Sequence, residues 1–149
     1  MLFLESWECN DQMNLEKTIF ISDMDETLFD NEKHISDRNL KAIMEYQKKG
    51  GIFTVATGRS IIGFRSYRDI LNIQMPVILY NGSCIYDYQK EKILWVNLLP
   101  KEVKTYIQKL VEKFSKLGMQ IMTESGIYSY RPTPVFKAYL KRESISYIE

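Results

Sequence analysis

A doubly wound, Rossmann-like parallel α/β sheet followed by the start of an α+β unit is the fold class this sequence predicts, on three observations. Three short apolar runs, Thr18 to Ser22, Ile52 to Ala56 and Val77 to Tyr80, alternate with two stretches of helical periodicity. Strand, helix, strand, helix, strand in that order implies right-handed crossovers and a parallel sheet. Beyond Asn81-Gly82 the pattern changes to a hairpin, a long amphipathic helix and a second strand pair.

Thr-Ile-Phe-Ile-Ser at Thr18 to Ser22 is β-branched and aromatic and ends at an acidic turn, as a buried strand does. Ser36 offers an N-cap to a helix in which Leu40, Ile43 and Met44 recur at helical spacing up to Lys49, and Gly50-Gly51 ends it. After the strand Ile52 to Ala56, Thr57-Gly58-Arg59-Ser60 turns into a helix predicted over Ile61 to Leu71, and Pro76 precedes the third strand. Ser83 to Tyr86 and Ile93 to Val96 flank a polar turn. Pro100 opens a helix whose Val103, Tyr106, Ile107, Leu110, Val111, Phe114 and Leu117 form one apolar stripe, expected to pack, until Gly118 stops it. Met119 to Thr123 and Ile127 to Tyr130 form the second strand pair around Ser125-Gly126. A boundary is placed near Leu99. No repeat or low-complexity tract is present.

The chain has 149 residues, 45% of them hydrophobic and 26% charged, enough for one buried core and at most a fraction of a second. Twenty Lys and Arg against 19 Asp and Glu give no general attraction to nucleic acid or an anionic membrane, so any phosphate affinity has to be local. Cys9 and Cys84 have no partner at metal-ligand spacing, and a reduced, cytoplasmic chain is the simple expectation. Met1 to Lys17 carries Glu5, Glu8, Asp11 and Glu16 and lacks the basic-then-apolar pattern of a secretory signal. Met13 lies only a few residues before the first strand, so the leading segment reads as an appendage. No run reaches transmembrane length.

Function in open α/β sheets sits past the carboxyl ends of strands. Asp23, Thr57 and Asn81 each fall just past one predicted strand, so three polar groups converge on one crevice. Asp23-Met24-Asp25 adds two carboxylates at a spacing suited to phosphoryl transfer. One can attack phosphorus and form an acyl phosphate, while the other protonates the leaving oxygen and later takes a proton from water. Carboxylates repel a phosphoryl dianion, and a hard, oxygen-liking cation such as Mg²⁺ offsets that repulsion. Thr57, with hydroxyl and backbone donors at a helix start, can hold a phosphate oxygen.

Ile-Ser-Asp23-Met24-Asp25-Glu26-Thr27-Leu28, then Val55-Ala56-Thr57-Gly58-Arg59, then Tyr80-Asn81-Gly82-Ser83, resemble the first two signature motifs and the following Asn-Gly element of haloacid dehalogenase-like hydrolases. Within that superfamily the chain looks most like the Cof-type sugar-phosphate phosphatases. The resemblance runs from about Lys17 to at least Val96, and the later helix and strands resemble the beginning of that group's α+β cap. It implies that Asp23 is the nucleophile and shares the metal. Asp25 would be the general acid/base and lend its backbone carbonyl to the metal, and Thr57 would bind the transferring phosphoryl group. Gly58 would keep the turn tight, and Arg59 and Asn81 would lie near the substrate mouth. Mg²⁺ and a small phosphorylated metabolite such as a sugar phosphate are the implied cofactor and substrate, with no nucleic acid or membrane partner. The implied organisation is an N-terminal appendage over 1–16, a partial hydrolase core over 17–99 and a partial cap over 100–149.

Two departures from the family pattern stand out. The family usually has Gly where this chain has Glu26, in a tight turn where a side chain adds strain. Its pattern also continues after the cap with a lysine that neutralises the phosphoaspartate and an acidic motif that completes the metal site. No segment here matches either, and Lys137, Lys141 and Glu143 lie in what is still the cap. In the family the first strand sits mid-sheet, so ending at Glu149 leaves an apolar edge open. The chain is therefore expected to pair, aggregate or be unstable alone, with a second chain able to complete the core. A cooperatively melting monomer on size-exclusion chromatography would refute this.

Three functions compete at this stage. One is a Mg²⁺-dependent phosphomonoesterase, incomplete in this chain. Another is an inactive, truncated hydrolase-like protein binding metal or phosphate weakly. The third is a receiver-like switch domain, which the paired aspartates, the Thr57 turn and the extra α+β segment fit less well. His34, in a polar stretch, receives no role. Arg65 and Arg68 read as a solvated helix face, and Lys137, Lys141 and Arg142 as an exposed basic cluster.

Overall fold

The computed structural model describes residues 15–16, 18–142 and 145–149, with only the backbone of Arg142. Cys9, Met13, most of the leading appendage and Glu143 lie outside the described residues.

Strand β1 (Ile19–Ser22), helix α1 (Asp37–Lys48), strand β2 (Ile52–Val55), helix α2 (Ile61–Ile70) and strand β3 (Val77–Leu79) follow in the predicted order. β1 and β2 are parallel, with Ile19 opposite Ile52 and Ser22 opposite Val55. A parallel bridge between Ala56 and Ile78 attaches β3 along the other side of β2. Both connections between parallel strands are helical, as a parallel sheet requires. The caps are as predicted: the Ser36 hydroxyl accepts from Asn39 N, and Gly50, at φ 88°, follows the end of α1 in a left-handed conformation that suits glycine. Ser60 caps α2 by accepting from Gly63 N.

The chain then reverses. β3 pairs antiparallel with β4 (Cys84–Asp87), which pairs antiparallel with β5 (Lys92–Val96). Helix α3 (Val103–Lys113) leads to β6 (Met119–Met122), antiparallel to β7 (Ile127–Tyr130), and helix α4 (Pro134–Arg142) returns the chain to β8 (Tyr147–Ile148), parallel to β7. The sequence reading contained neither α4 nor β8. A two-residue strand is too short for periodicity to reveal.

The apolar interior forms two clusters. One joins Met24, Phe53, Val55, Phe64, Leu71, Val77, Leu79 and Tyr88 among others. The smaller joins Ile127, Phe136, Leu140 and Ile145. Close packing of such groups, at about 25 cal/mol per Å² of apolar surface removed from water, drives both. The two meet where the Tyr80 hydroxyl donates to Thr123 O at 3.0 Å, and a Cβ added to Gly63 would lie 3.1 Å from the Ile145 side chain.

The expected burial of the α3 stripe is corrected. α3 ends at Lys113, before Phe114 and Leu117, and none of its residues is buried; Tyr106 is 64% exposed. Amphipathic spacing specifies a helix, but burial needs an apolar neighbour: Val103, Ile107 and Val111 are only half-buried, and Leu110 and Phe114 stay exposed. The β1 edge is similar: among the described residues β1 pairs only with β2, and Ile19, Phe20 and Ile21 are each about half exposed.

Candidate active site

The backbone turns sharply after Ser22. Thr27, Leu28 and Phe29 N–H groups all converge on Met24 O, and the Met24 side chain is fully buried, pinning the acidic turn to the core. Asp23 stays exposed, with one carboxylate oxygen accepting from Met24 N at 2.7 Å. Glu26 takes φ 63°, the left-handed conformation that explains the family's preference for glycine there. A non-glycine residue so placed costs about 1 kcal/mol or more.

Asp25 and Arg59, 34 residues apart in sequence, form the centre of the site. Arg59 Nε donates to Asp25 Oδ2 and Nη2 to Oδ1, each at 3.2 Å. The guanidinium carbon lies 4.9 Å from the Phe29 ring centroid and 5.1 Å from that of Tyr67, and Arg59 is only 6% exposed. A guanidinium stacked on two rings is a fixed donor fork rather than a solvated surface charge. Lys33 Nζ also reaches Asp25 Oδ1, at 2.8 Å. Burial tends to raise the Asp25 pKa, but hydrogen bonds and charge from Arg59 and Lys33 outweigh it and hold the carboxyl below its ordinary value. Asp25 is thus an anion in the free protein.

Thr57 is buried past β2, its N–H donating to Ile78 O and its hydroxyl oxygen accepting from Arg59 N at 3.3 Å. That acceptor role leaves the hydroxyl proton available to a ligand oxygen. Thr57 lies three residues before the Ser60 cap rather than at the start of α2, which corrects the expected placement. Asn81, exposed past β3, sends its N–H to Thr57 O at 3.2 Å, and Tyr80 N donates to Arg59 O at 3.1 Å. A Cβ at Gly58 would lie 2.7 Å from Asn81 Oδ1, so a larger residue there would push the Asn81 side chain aside. Tyr80 and Asn81 both have positive φ, 52° and 55°, so the turn that brings them to Thr57 is strained.

The three strand ends therefore bring Asp25, Arg59, Thr57, Gly58 and Asn81 into one hydrogen-bonded assembly, with Asp23 at its acidic turn. The sequence reading missed Lys33 and Tyr80. A lysine in a polar turn gives no signal of its own, and Tyr80 read only as the end of a strand. The residues given no role or a bland one lie apart from this assembly: His34 and Arg65 are exposed, and Arg68 pairs with Asp69 at 3.6 Å. Lys137 and Lys141 are exposed on α4.

Parallel strands presenting a paired-aspartate turn and a Thr-Gly-Arg turn at adjacent carboxyl ends define the class: an α/β protein with an acidic, anion-compatible site. The chain belongs to the haloacid dehalogenase-like hydrolases, whose family model matches residues 20–148. MG265 of Mycoplasma genitalium is 30% identical over 118 residues, which are 79% of this chain and 41% of that protein. The 5-amino-6-(5-phospho-D-ribitylamino)uracil phosphatase YcsE of Bacillus subtilis is 42% identical over 65 residues, 44% of this chain and 26% of that one. The structure of BT4131, a sugar phosphatase of subclass IIB, shares the fold with a TM-score of 0.73 at 21% identity, over 88% of this chain and 51% of its own. The chain spans about half the length, or less, of these relatives. No helix of the described residues is long and apolar enough to cross a membrane.

Proposed function

We propose that this chain carries the nucleophile side of a Mg²⁺-dependent phosphomonoesterase site for small phosphorylated metabolites, of the Cof-type kind. The observation that carries this reading is the division of labour between the two aspartates. Asp23 is exposed, and only one of its carboxylate oxygens is engaged, by Met24 N, which leaves the other to attack phosphorus. Asp25 has both oxygens held by cationic donors, so neither is free to bond to phosphorus. Attack by Asp23 would form an aspartyl phosphate as the bond to the leaving oxygen breaks; Asp25, an anion in the free protein, would take up the proton that a monoanionic phosphomonoester brings and pass it to that oxygen. Water would then attack phosphorus, giving its proton to Asp25 and releasing inorganic phosphate. The Thr57 hydroxyl would hold a phosphoryl oxygen throughout.

The donor set fits a hard cation in kind. The Asp25 carboxylate is committed to Arg59 and Lys33, so the Asp23 carboxylate and Asp25 carbonyl are the oxygens that would hold Mg²⁺, with water and substrate completing its shell. When bound, it supplies counter-charge to the phosphoryl group. Sugar phosphates are the favoured substrate class, supported by the names of BT4131 and YcsE.

A second reading is weak binding of metal or phosphate without turnover. The deciding measurement is phosphate release from p-nitrophenyl phosphate and a panel of sugar phosphates. Release that depends on Mg²⁺ and stops with EDTA supports the phosphatase. Calorimetric binding of Mg²⁺ or phosphate with no release favours the second reading.

A further inference from the structure

The turn that follows the acidic loop is built in a way that the site itself does not require. Asp30 N donates to His34 O at 2.9 Å, Phe29 and Ile35 form an antiparallel bridge, and Asp30 Oδ1 accepts from Glu32 N at 2.9 Å and His34 N at 2.8 Å. The result is a short hairpin with its polar tip over residues 30–34. Lys33 sits in that tip at φ 63°. Glycine or asparagine takes such a conformation at little cost, whereas a lysine there is strained by about 1 kcal/mol or more. Its neighbours Glu32 and His34 point their side chains into solvent, 83% and 73% exposed, while the Lys33 side chain is 28% exposed and ends 2.8 Å from Asp25 Oδ1. A strained residue whose side chain leaves solvent for an acidic centre is placed by that contact.

We propose that Lys33 is a positioning residue for Asp25: with Arg59 it fixes the carboxylate, and it makes the aim of Asp25 depend on the folded 29–35 hairpin. This rests on the phosphatase reading of the site. The argument is geometric. Arg59 alone binds the two oxygens nearly alike, one donor each at 3.2 Å, so its fork does not distinguish them. Lys33 adds a shorter bond to Oδ1 only. Oδ1 is then doubly engaged and Oδ2 singly, so Oδ2 is the oxygen left to exchange a proton with the leaving group and with water. Arg59 gives each oxygen one donor at the same distance, so the asymmetry comes from Lys33. The hairpin delivers the second cation, and with it the orientation.

The full chain with Lys33→Met, Lys33→Arg and Asp25→Asn provides the test, by two independent readouts. In ¹⁵N NMR of lysine ammonium groups, one slowly exchanging signal should be present in the unsubstituted chain and disappear in both Lys33→Met and Asp25→Asn. In Mg²⁺-dependent hydrolysis of p-nitrophenyl phosphate, Lys33→Met should lower kcat about tenfold with KM changed by less than about twofold, and Lys33→Arg should recover most of the loss. A Lys33→Met chain with unaltered kcat, or the lack of any ammonium signal that responds to Asp25→Asn, overturns the proposal. Absence of turnover in the unsubstituted chain refutes the phosphatase reading instead, and the NMR comparison then decides by itself whether Lys33 holds Asp25.

Discussion

Replacing Asp23 by asparagine should lower Mg²⁺-dependent phosphate release by about a thousandfold or more, to the background rate. A carboxamide oxygen is a poor nucleophile toward phosphorus and carries no charge for a cation, so both roles proposed for Asp23 vanish together. In barrier terms this is about 4 kcal/mol. The fold should hardly respond. Asn keeps an oxygen to accept from Met24 N, and Asp23 is exposed, so the melting temperature should stay within a few degrees. Steady-state kinetics and a thermal melt on the same preparation check both halves. Retained activity in Asp23→Asn would remove the aspartyl-phosphate mechanism from this chain.

Arg59→Ala has the opposite balance, with its largest expected effect on stability. The guanidinium lies over both the Phe29 and Tyr67 rings, which touch each other with centroids 5.0 Å apart, and donates twice to Asp25. Truncation leaves a void beside the two rings and removes two charge-assisted bonds. A fully buried pair broken in this way costs about 3–5 kcal/mol; the Asp25 side chain is 41% exposed and keeps Lys33, so about 2–3 kcal/mol is expected here. At roughly 2–4 °C per kcal/mol for a chain of this size, the melting temperature should fall by about 5–10 °C. Arg59→Lys should restore charge but not the fork, and recover less than half of the loss. A melt of Arg59→Ala indistinguishable from that of the parent would mean that the stacked arginine does not support the fold.

Much of this was legible in the residues. The strand and helix order of the first half follows from apolar runs, two serine caps and a glycine stop, all of them local signals that need no partner. The candidate site was legible for the same reason: Asp23, Thr57 and Asn81 each stand one or two residues past a strand, and parallel topology gathers strand ends. The positive φ of Glu26 was also foreseeable, since a family glycine marks a conformation and not a side chain. What failed was the packing expected of the α3 stripe, whose Tyr106, Leu110 and Phe114 stay exposed.

The sequence by itself determined the order of elements as far as β7, the strand ends that carry polar groups, and the family. Periodicity, caps and motif spacing are properties of neighbouring residues. Tertiary structure alone decided that Arg59 lies buried over the paired Phe29 and Tyr67 rings and that Lys33 reaches Asp25. It also decided that the Asn81 side chain lies against Gly58. These are contacts between residues 8 to 30 positions apart across turns, set by how the strands align and how the interior fills. A charged residue in a loop looks the same in sequence whether solvent or a carboxylate receives it.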